Sequence, residues 1–493
     1  MPPTGVCSAV AVGKADRWFR RKHLSRNAGL LPPRKSIFSI ARQPMEDIQA
    51  TPRKVWWLAA GAFLFLLGGC APPSPFHDGM IDDAAVKRIS KHIEEVRTLH
   101  FKQEVQFDVI TPTVAADRFM DHLAKQYGSR PTLELALEAE TALGLVAGQA
   151  SAVEPIQFEE MGARQLANTW ASIIFTSADR IEVVDGGGER IDQSVPTLAR
   201  AILLARRPKD FLEGRFRTYD LSLTYTLAVA LVYQNFPIET KTTGLRTNLD
   251  AHSALLDVVE GDALLVTDAV TRRPSNPADV CSRKDQESGL WERMLRSELE
   301  PVPPAFKQML TGVSENKRFV CRAFKSGGWQ SVNDLYEKPP YSIRQISDPS
   351  RYFGTSPIPF RITISGYEDV LPGWTKGFEN TYGPGGLAAI LKSIPSGNVS
   401  GLADEWVGVQ VVGLTRDRDF SALWVVAFSS PRAAATFCSV YKTGHVLPGQ
   451  KVPIRLSQKD NAVLVVTGPA SDNFERLSSS LWKKTRIEEV FAK

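Results

Sequence analysis

Two neighbouring stretches decide how this chain folds: SLTYTLAVALVYQNFPI, residues 222–238, and DAHSALLDVVEGDALLVTDAV, residues 250–270. The first is apolar almost all round from Leu223 to Phe236, as a helix buried on every side would be. Pro237 ends it, because proline disfavours helical geometry in the residue before it. The second carries Leu255, Leu256, Val259, Ala263 and Leu264 at the spacing of one face of an amphipathic helix. Glu260 stands inside that apolar run. A carboxylate there is costly unless it is paired, hydrogen-bonded or bound to metal. The helix pair reads as the floor of a functional site.

Set beside known motifs, the pair resembles the core of a family of bacterial exported, often lipid-anchored, zinc-peptidase-like proteins. Their first helix reads roughly HELTHALQDQHFDL and their second ends in ALVEGDA. Here Ala230 to Ile238 fall on the tail of the first motif, and Asp257 to Ala263 on the second. The zinc-binding pentad then falls on Tyr225, Thr226, Leu227, Ala228 and Val229. In an HExxH helix the two histidines grip zinc from one face and the glutamate serves as general base. Val229 offers no lone pair, and Thr226 has no carboxylate. Tyr225 could ligate only as a phenolate, which forms at about pH 10. Glu260, by resemblance the third ligand, has nothing to share a metal with. The resemblance implies an inactive relative that holds neither metal nor cofactor, with Tyr225, Thr226, Val229 and Glu260 as degenerate zinc-site positions.

The likeness extends along residues 82–430. Val96-Arg97-Thr98-Leu99-His100-Phe101-Lys102 follows a "VRxLxFK" opening, and Gly327-Gly328-Trp329-Gln330-Ser331-Val332-Asn333 a "GGWxxVN" element. Pro339 to Pro349 follows "PPxSTEQxLHP", with Asp348 where the histidine would be. Gly383 to Leu387 follows "GExGL" with Pro384 in place of the glutamate, and Val409 replaces an aspartate in a "GWGGD" element. Glycines, prolines and aromatics persist while several polar positions do not. A scaffold can lose ligands without losing its core.

The formal net charge of +5 is unevenly spread. Residues 1–54 hold eleven Lys and Arg against Asp16, Glu46 and Asp47, which leaves the rest of the chain three charges negative. That remainder lacks the basic footprint of nucleic-acid binding. Arg53-Lys54 precede an apolar run, Val55 to Leu67, with the length of a signal-peptide core rather than a spanning helix. Leu67-Gly68-Gly69-Cys70 resembles the lipobox of bacterial lipoproteins, which implies cleavage before Cys70 and a lipid on its sulfur. The alternative is an anchor helix that happens to end in cysteine. Met45 suits the start of that signal. The expected organisation is an extension or mis-assigned start (1–44), a lipoprotein signal (45–69), a tether (70–81), a peptidase-like domain (82–400) and a smaller C-terminal module (401–493). Ala71 after the cysteine is compatible with outer-membrane sorting.

The expected fold class is α+β: a mostly helical zincin-like domain with a small β-hairpin or sheet, then an α+β module. Helices are expected at 82–99, 113–127, 131–146, 161–170 and 197–205, and strands at 102–110, 172–175 and 180–184. The C-terminal module is expected to place strands at 406–412, 422–428 and 462–467 and helices at 431–441 and 472–483. Asp185 to Glu189 lacks the lysine or serine of a phosphate loop and reads as a turn. Cys281, Cys321 and Cys438 allow either a Cys281–Cys321 disulfide in an oxidising compartment or three separate thiols. His252 and Glu260 are two helical turns apart, too far to share a metal. No serine elbow is present. The function expected is that of a lipid-anchored envelope protein, attached to the membrane at Cys70, whose inactive peptidase-like domain binds a protein or peptide. The alternative is a hydrolase using residues outside the pentad, and a third reading is a spacer between envelope layers.

Overall fold

The computed structural model describes residues 76–77, 80–143, 173–184, 218–271, 276–282, 313–354, 360–383, 401–444 and 453–489. The fold is α+β. Asp82 caps helix α1 (Asp83–Arg97) by accepting from the Ala84 amide at 2.9 Å, and Ala85, Ile89 and Ile93 turn its apolar face inward. Strand β1 (Gln106–Ile110) follows, then helices α2 (Pro112–Tyr127) and α3 (Arg130–Ala142), each with a capping hydroxyl and a proline in its first turn. The hairpin β2 (Ile173–Ser177) and β3 (Arg180–Val184) gives a three-stranded sheet, in which β1 lies parallel to β3 and β2 antiparallel to it.

Helices α4 (Thr218–Asn235) and α5 (Leu249–Thr271) form the centre of the helical body. Helix α5 packs against α4, α1 and α7 (Val313–Glu337). The short helix α6 (Pro277–Ser282) is tied to α7 by a disulfide between Cys281 and Cys321, with Cα atoms 5.2 Å apart. Of the two arrangements the cysteine spacing allowed, the disulfide is the one adopted, and Cys438 is buried elsewhere. Helix α7 breaks at Gly328, whose φ of 66° and ψ of −152° lie where essentially only glycine goes. That break turns Trp329 toward α1, where its indole donates to the Val96 carbonyl at 2.6 Å.

A five-stranded antiparallel sheet builds the rest. Strands β4 (Phe360–Thr363), β5 (Thr375–Asn380), β6 (Trp406–Arg416) and β7 (Asp419–Phe428) are followed by helix α8 (Pro431–Gly444). Strands β8 (Ile454–Lys459) and β9 (Ala462–Thr467), helix α9 (Phe474–Lys484) and strand β10 (Arg486–Glu489) complete the chain. The sheet order is β8-β9-β7-β6-β5, while β10 pairs with β4. One face is covered by α3 and α8, with Trp406, Trp424, Phe437 and Tyr441 at its centre. The other is covered by α9 and the segment around Tyr367, Leu371 and Trp374. Both faces are dry, so β9 reads as a continuous apolar run rather than an alternating one. Its fifth strand, β5, comes from before residue 401, so the sheet draws on both sides of the expected boundary.

Three expectations are corrected in detail. The strand from 102 begins only at Gln106, because the backbone amides of Lys102 and Gln103 are bound by the Gln234 side chain of α4. The helix from 131 ends at Ala142. On α5 the expected stripe is only partly the buried one, with Leu256 and Leu264 left half-buried. Leu255, Val258, Val259, Asp262 and Ala263 are buried, while Leu256, Asp257, Glu260 and Leu264 form a half-buried strip. A helix packed against five others has little face left to be amphipathic. The expected helices at 161–170 and 197–205, the 185–189 turn, Pro384, Cys70 and everything before it lie outside the described residues. Among the described residues no helix is long and apolar enough to cross a membrane.

Candidate functional site

Gly261 decides how closely α5 and α7 approach. A Cβ there would sit 2.4 Å from the Asn316 carbonyl oxygen and 2.7 Å from Val320 Cγ2, so only a bare Cα lets the backbones meet. This contact brings Asn316, 1% exposed, against the half-buried strip of α5. Its amide Nδ2 donates to Asp257 Oδ1 and to Glu260 Oε2, both at 2.9 Å. Asp257 and Glu260 are one turn apart on the same side of α5. Burial pushes the Glu260 carboxyl up to about 7, with the Asn316 hydrogen bond opposing. Burial and then the Glu260 charge push Asp257 well above the usual carboxylate range.

Tyr225 on α4 feels the charges of both acids. Burial and then the Glu260 charge hold its phenol well above its ordinary range, so it remains protonated. The rest of the pentad is core: Thr226 and Ala228 are 2% exposed, Leu227 0% and Val229 6%. The structure therefore places Tyr225 within electrostatic reach of Glu260, buries Thr226, and packs Val229 in the apolar core. A carboxyl poised near neutrality could move a proton. Here the Asn316 amide bridges the two acids.

A second buried cluster lies two residues further along α5. Asp262, 0% exposed, accepts from Arg97 Nε at 2.9 and 3.1 Å and from the Tyr336 hydroxyl at 2.8 Å. Arg97 is also fully buried, donates to Asn333 Oδ1 at 2.7 Å and stacks its guanidinium 4.4 Å from the Trp329 ring. Elements singled out separately in the sequence thus meet at one ion pair: Arg97, Asp262, and Trp329 with Asn333. Gly383 behaves likewise. Its Cα abuts Asp250, whose Oδ1 accepts from the Ile343 amide at 3.0 Å.

His252 is buried at the start of α5, its Nδ1 without a partner, and burial followed by the nearby His122 and Arg246 charges pushes the imidazole down to about 4. Asp348 lies at the end of a short helix and accepts from Ser350. Val409 is buried in β6. A separate cleft of about 280 Å3 is lined by Tyr127, Arg246, Lys376, Phe378 and Asn380 and does not include Glu260. Among the described residues no three His, Cys, Asp or Glu side chains are grouped so as to hold a metal ion. Sequence reasoning missed Asp257 and Asn316. Asp257 had the one available signal, a second acid three residues before Glu260; Asn316 had none.

No family model matches the chain, and no curated protein matches it. A solved structure from Chloroflexus aurantiacus, described as that of a presumed hydrolase with a novel fold, aligns over 60% of this chain and 96% of its own. The identity is 16% and the TM-score 0.32, a likeness too slight to carry any statement about fold or activity.

Proposed function

We propose that this chain is a lipid-anchored bacterial cell-envelope protein whose zinc-peptidase-like domain is catalytically inactive and serves as a binding or scaffold module. The observation that carries the reading is the meeting of α4 and α5. Tyr225 lies within electrostatic reach of Glu260, and the positions the resemblance assigns to the second histidine and the general base are Val229, in the apolar core, and Thr226, which is buried. Glu260 accepts from an amide donor, Asn316 Nδ2. Filling ligand positions with apolar atoms stabilises a scaffold that no longer needs its ion. The Cys281–Cys321 disulfide supports an oxidising, exported setting. The anchor rests on the Leu67–Cys70 sequence alone.

Two measurements test this reading. Metal analysis of the purified chain, with a general peptidase assay, is expected to find neither stoichiometric zinc nor chelator-sensitive cleavage; either one overturns it. Cys70→Ser is expected to abolish palmitate labelling and release the protein from the membrane fraction. Unchanged labelling would exclude the anchor. The second reading, a hydrolase working through Asp257 and Glu260, is favoured by the raised Glu260 carboxyl. It requires a chelator-insensitive activity lost in Glu260→Gln.

A further inference from the structure

The cleft of about 280 Å3 is lined by every residue from Lys376 to Asn380. Side chains of a strand alternate between its two faces, so five consecutive residues line one hollow only along the strand's edge. Strand β5 is the outermost of the five-stranded sheet, and among the described residues no strand pairs beyond it. Such an edge presents a row of backbone donors and acceptors that another chain can pair with. It closes at Thr381, whose carbonyl accepts from the Asp250 amide at 3.1 Å. At that closed end the donors are not all used. Asn380, 1% exposed, accepts through Oδ1 from the Leu249 and Thr381 amides at 2.9 and 2.8 Å. Its Nδ2 carries two hydrogens yet makes a single long bond, 3.5 Å, to the Arg246 carbonyl. Arg246 also lines the cleft, exposed and without an ion pair among the described residues. Lys376, by contrast, is answered by Glu379 Oε2 at 2.7 Å. The cleft thus carries one uncompensated positive charge, which matches a carboxylate and falls short of a doubly charged phosphate.

We propose that this cleft captures the carboxyl end of an extended peptide. The peptide's main chain pairs with the open edge of β5, and its terminal carboxylate takes the Arg246 guanidinium and the spare Asn380 hydrogen. A guanidinium matches a carboxylate with two parallel hydrogen bonds. Strand addition at an open edge and capture of a terminal carboxylate are both recurring modes of peptide recognition. Because the edge is closed at Thr381, a peptide cannot run on past it, and a chain terminus fits where an internal acidic residue does not. Tyr127 and Phe378 give the last side chain an aromatic wall. The cleft is smaller than the roughly 300–1,000 Å3 of small-molecule sites, so it holds that one residue and its carboxylate while the rest of the peptide lies along the strand. The proposal supplies a ligand class for the binding role argued above; it rests on that role and not on the pentad.

The test is fluorescence anisotropy of the full-length chain in detergent with fluorescein-labelled pentapeptides that cover every C-terminal residue, each made as the free acid and as the amide. The expected result is saturable binding of at least one free acid. Binding is expected to weaken at least about tenfold for the matching amide and in Arg246→Gln, and to stay unchanged in Arg432→Gln on α8. Arg246 is exposed, so the variant is expected to fold, which an unchanged urea midpoint checks. N-methylation of the bound peptide's backbone removes the donors that pair with β5 and is expected to abolish binding. The proposal is overturned if no free acid binds, if acids and amides bind alike, or if binding survives Arg246→Gln or N-methylation. None of these results would move zinc content or peptide cleavage, on which the reading of the pentad is judged.

Discussion

Removing Arg97 is the sharpest probe of how the helical body holds together. Asp262 is 0% exposed and receives two contacts from Arg97 Nε and one from Tyr336. In Arg97→Met the apolar stem is retained, but Asp262 keeps only the Tyr336 hydroxyl, and Trp329 loses the guanidinium stacked 4.4 Å from its ring. Leaving one partner of a buried pair uncompensated destabilises by about 3–5 kcal/mol. The stacking on the half-buried Trp329 ring adds about 1 kcal/mol. The expected loss is thus about 4–6 kcal/mol, a large part of the stability of an ordinary domain. Adding Asp262→Leu removes the stranded charge, and the double variant is expected to recover at least half of that loss. Urea unfolding followed by tryptophan fluorescence measures both. A single variant within about 1 kcal/mol of the unaltered chain would refute the reasoning, because a fully buried unpaired carboxylate cannot be that cheap. A double variant no better than the single one would show that geometry, not charge, is what Arg97 supplies.

Further outcomes follow from the same structure. Gly261→Ala forces a Cβ to within 2.4 Å of a backbone oxygen and is expected to destabilise by about 3 kcal/mol, whereas Gly244→Ala, with open space around it, is expected to be neutral or slightly stabilising. Equal urea midpoints for the two would contradict the close approach of α5 and α7. The pH dependence has two opposed parts. Burial raises the Asp250 carboxyl from 3.8 to about 6, so the folded state holds a proton the unfolded state has released, and stability falls as pH rises through that window. Burial lowers His252 from 6.5 to about 4, so its contribution is complete above 6.5 and is lost as pH falls toward 4. Each is worth about 3 kcal/mol across its window, and they oppose one another between about pH 4 and 6. Relative to the unaltered chain, His252→Gln is expected to make stability fall more steeply with rising pH there, and Asp250→Asn to make it rise. Urea midpoints shifting in one direction for both variants would refute the assignment.

The sequence made some of this legible and hid the rest for physical reasons. The run from Leu223 to Phe236, ended by Pro237, names a buried helix because periodicity and a breaker are local properties. The strands around Ala422–Phe428 and Ala462–Thr467 were equally plain, since fully covered strands must be apolar throughout. Glu260 stood out as a charge in an apolar run. What it binds did not, because Asn316 is 56 residues away and nothing near either residue announces the other. The same holds for Arg97 and Asp262, 165 residues apart. Gly261 looked like one letter of a motif, and its reason appears only when α7 is laid against it. The half-buried strip on α5 was misjudged because hydrophobic spacing finds a face only where one side of a helix meets solvent, and α5 has neighbours on nearly every side.

The claim that Tyr225, Thr226, Val229 and Glu260 are the positions of a lost zinc site is tested most directly by putting the ligands back. Zinc content would be measured in a chain carrying Tyr225→His, Thr226→Glu and Val229→His, with and without Glu260→Gln. The account predicts one zinc per chain in the triple variant and its loss when Glu260 is also changed. A triple variant that folds like the unaltered chain and takes up no zinc, or holds it regardless of Glu260, would contradict the account.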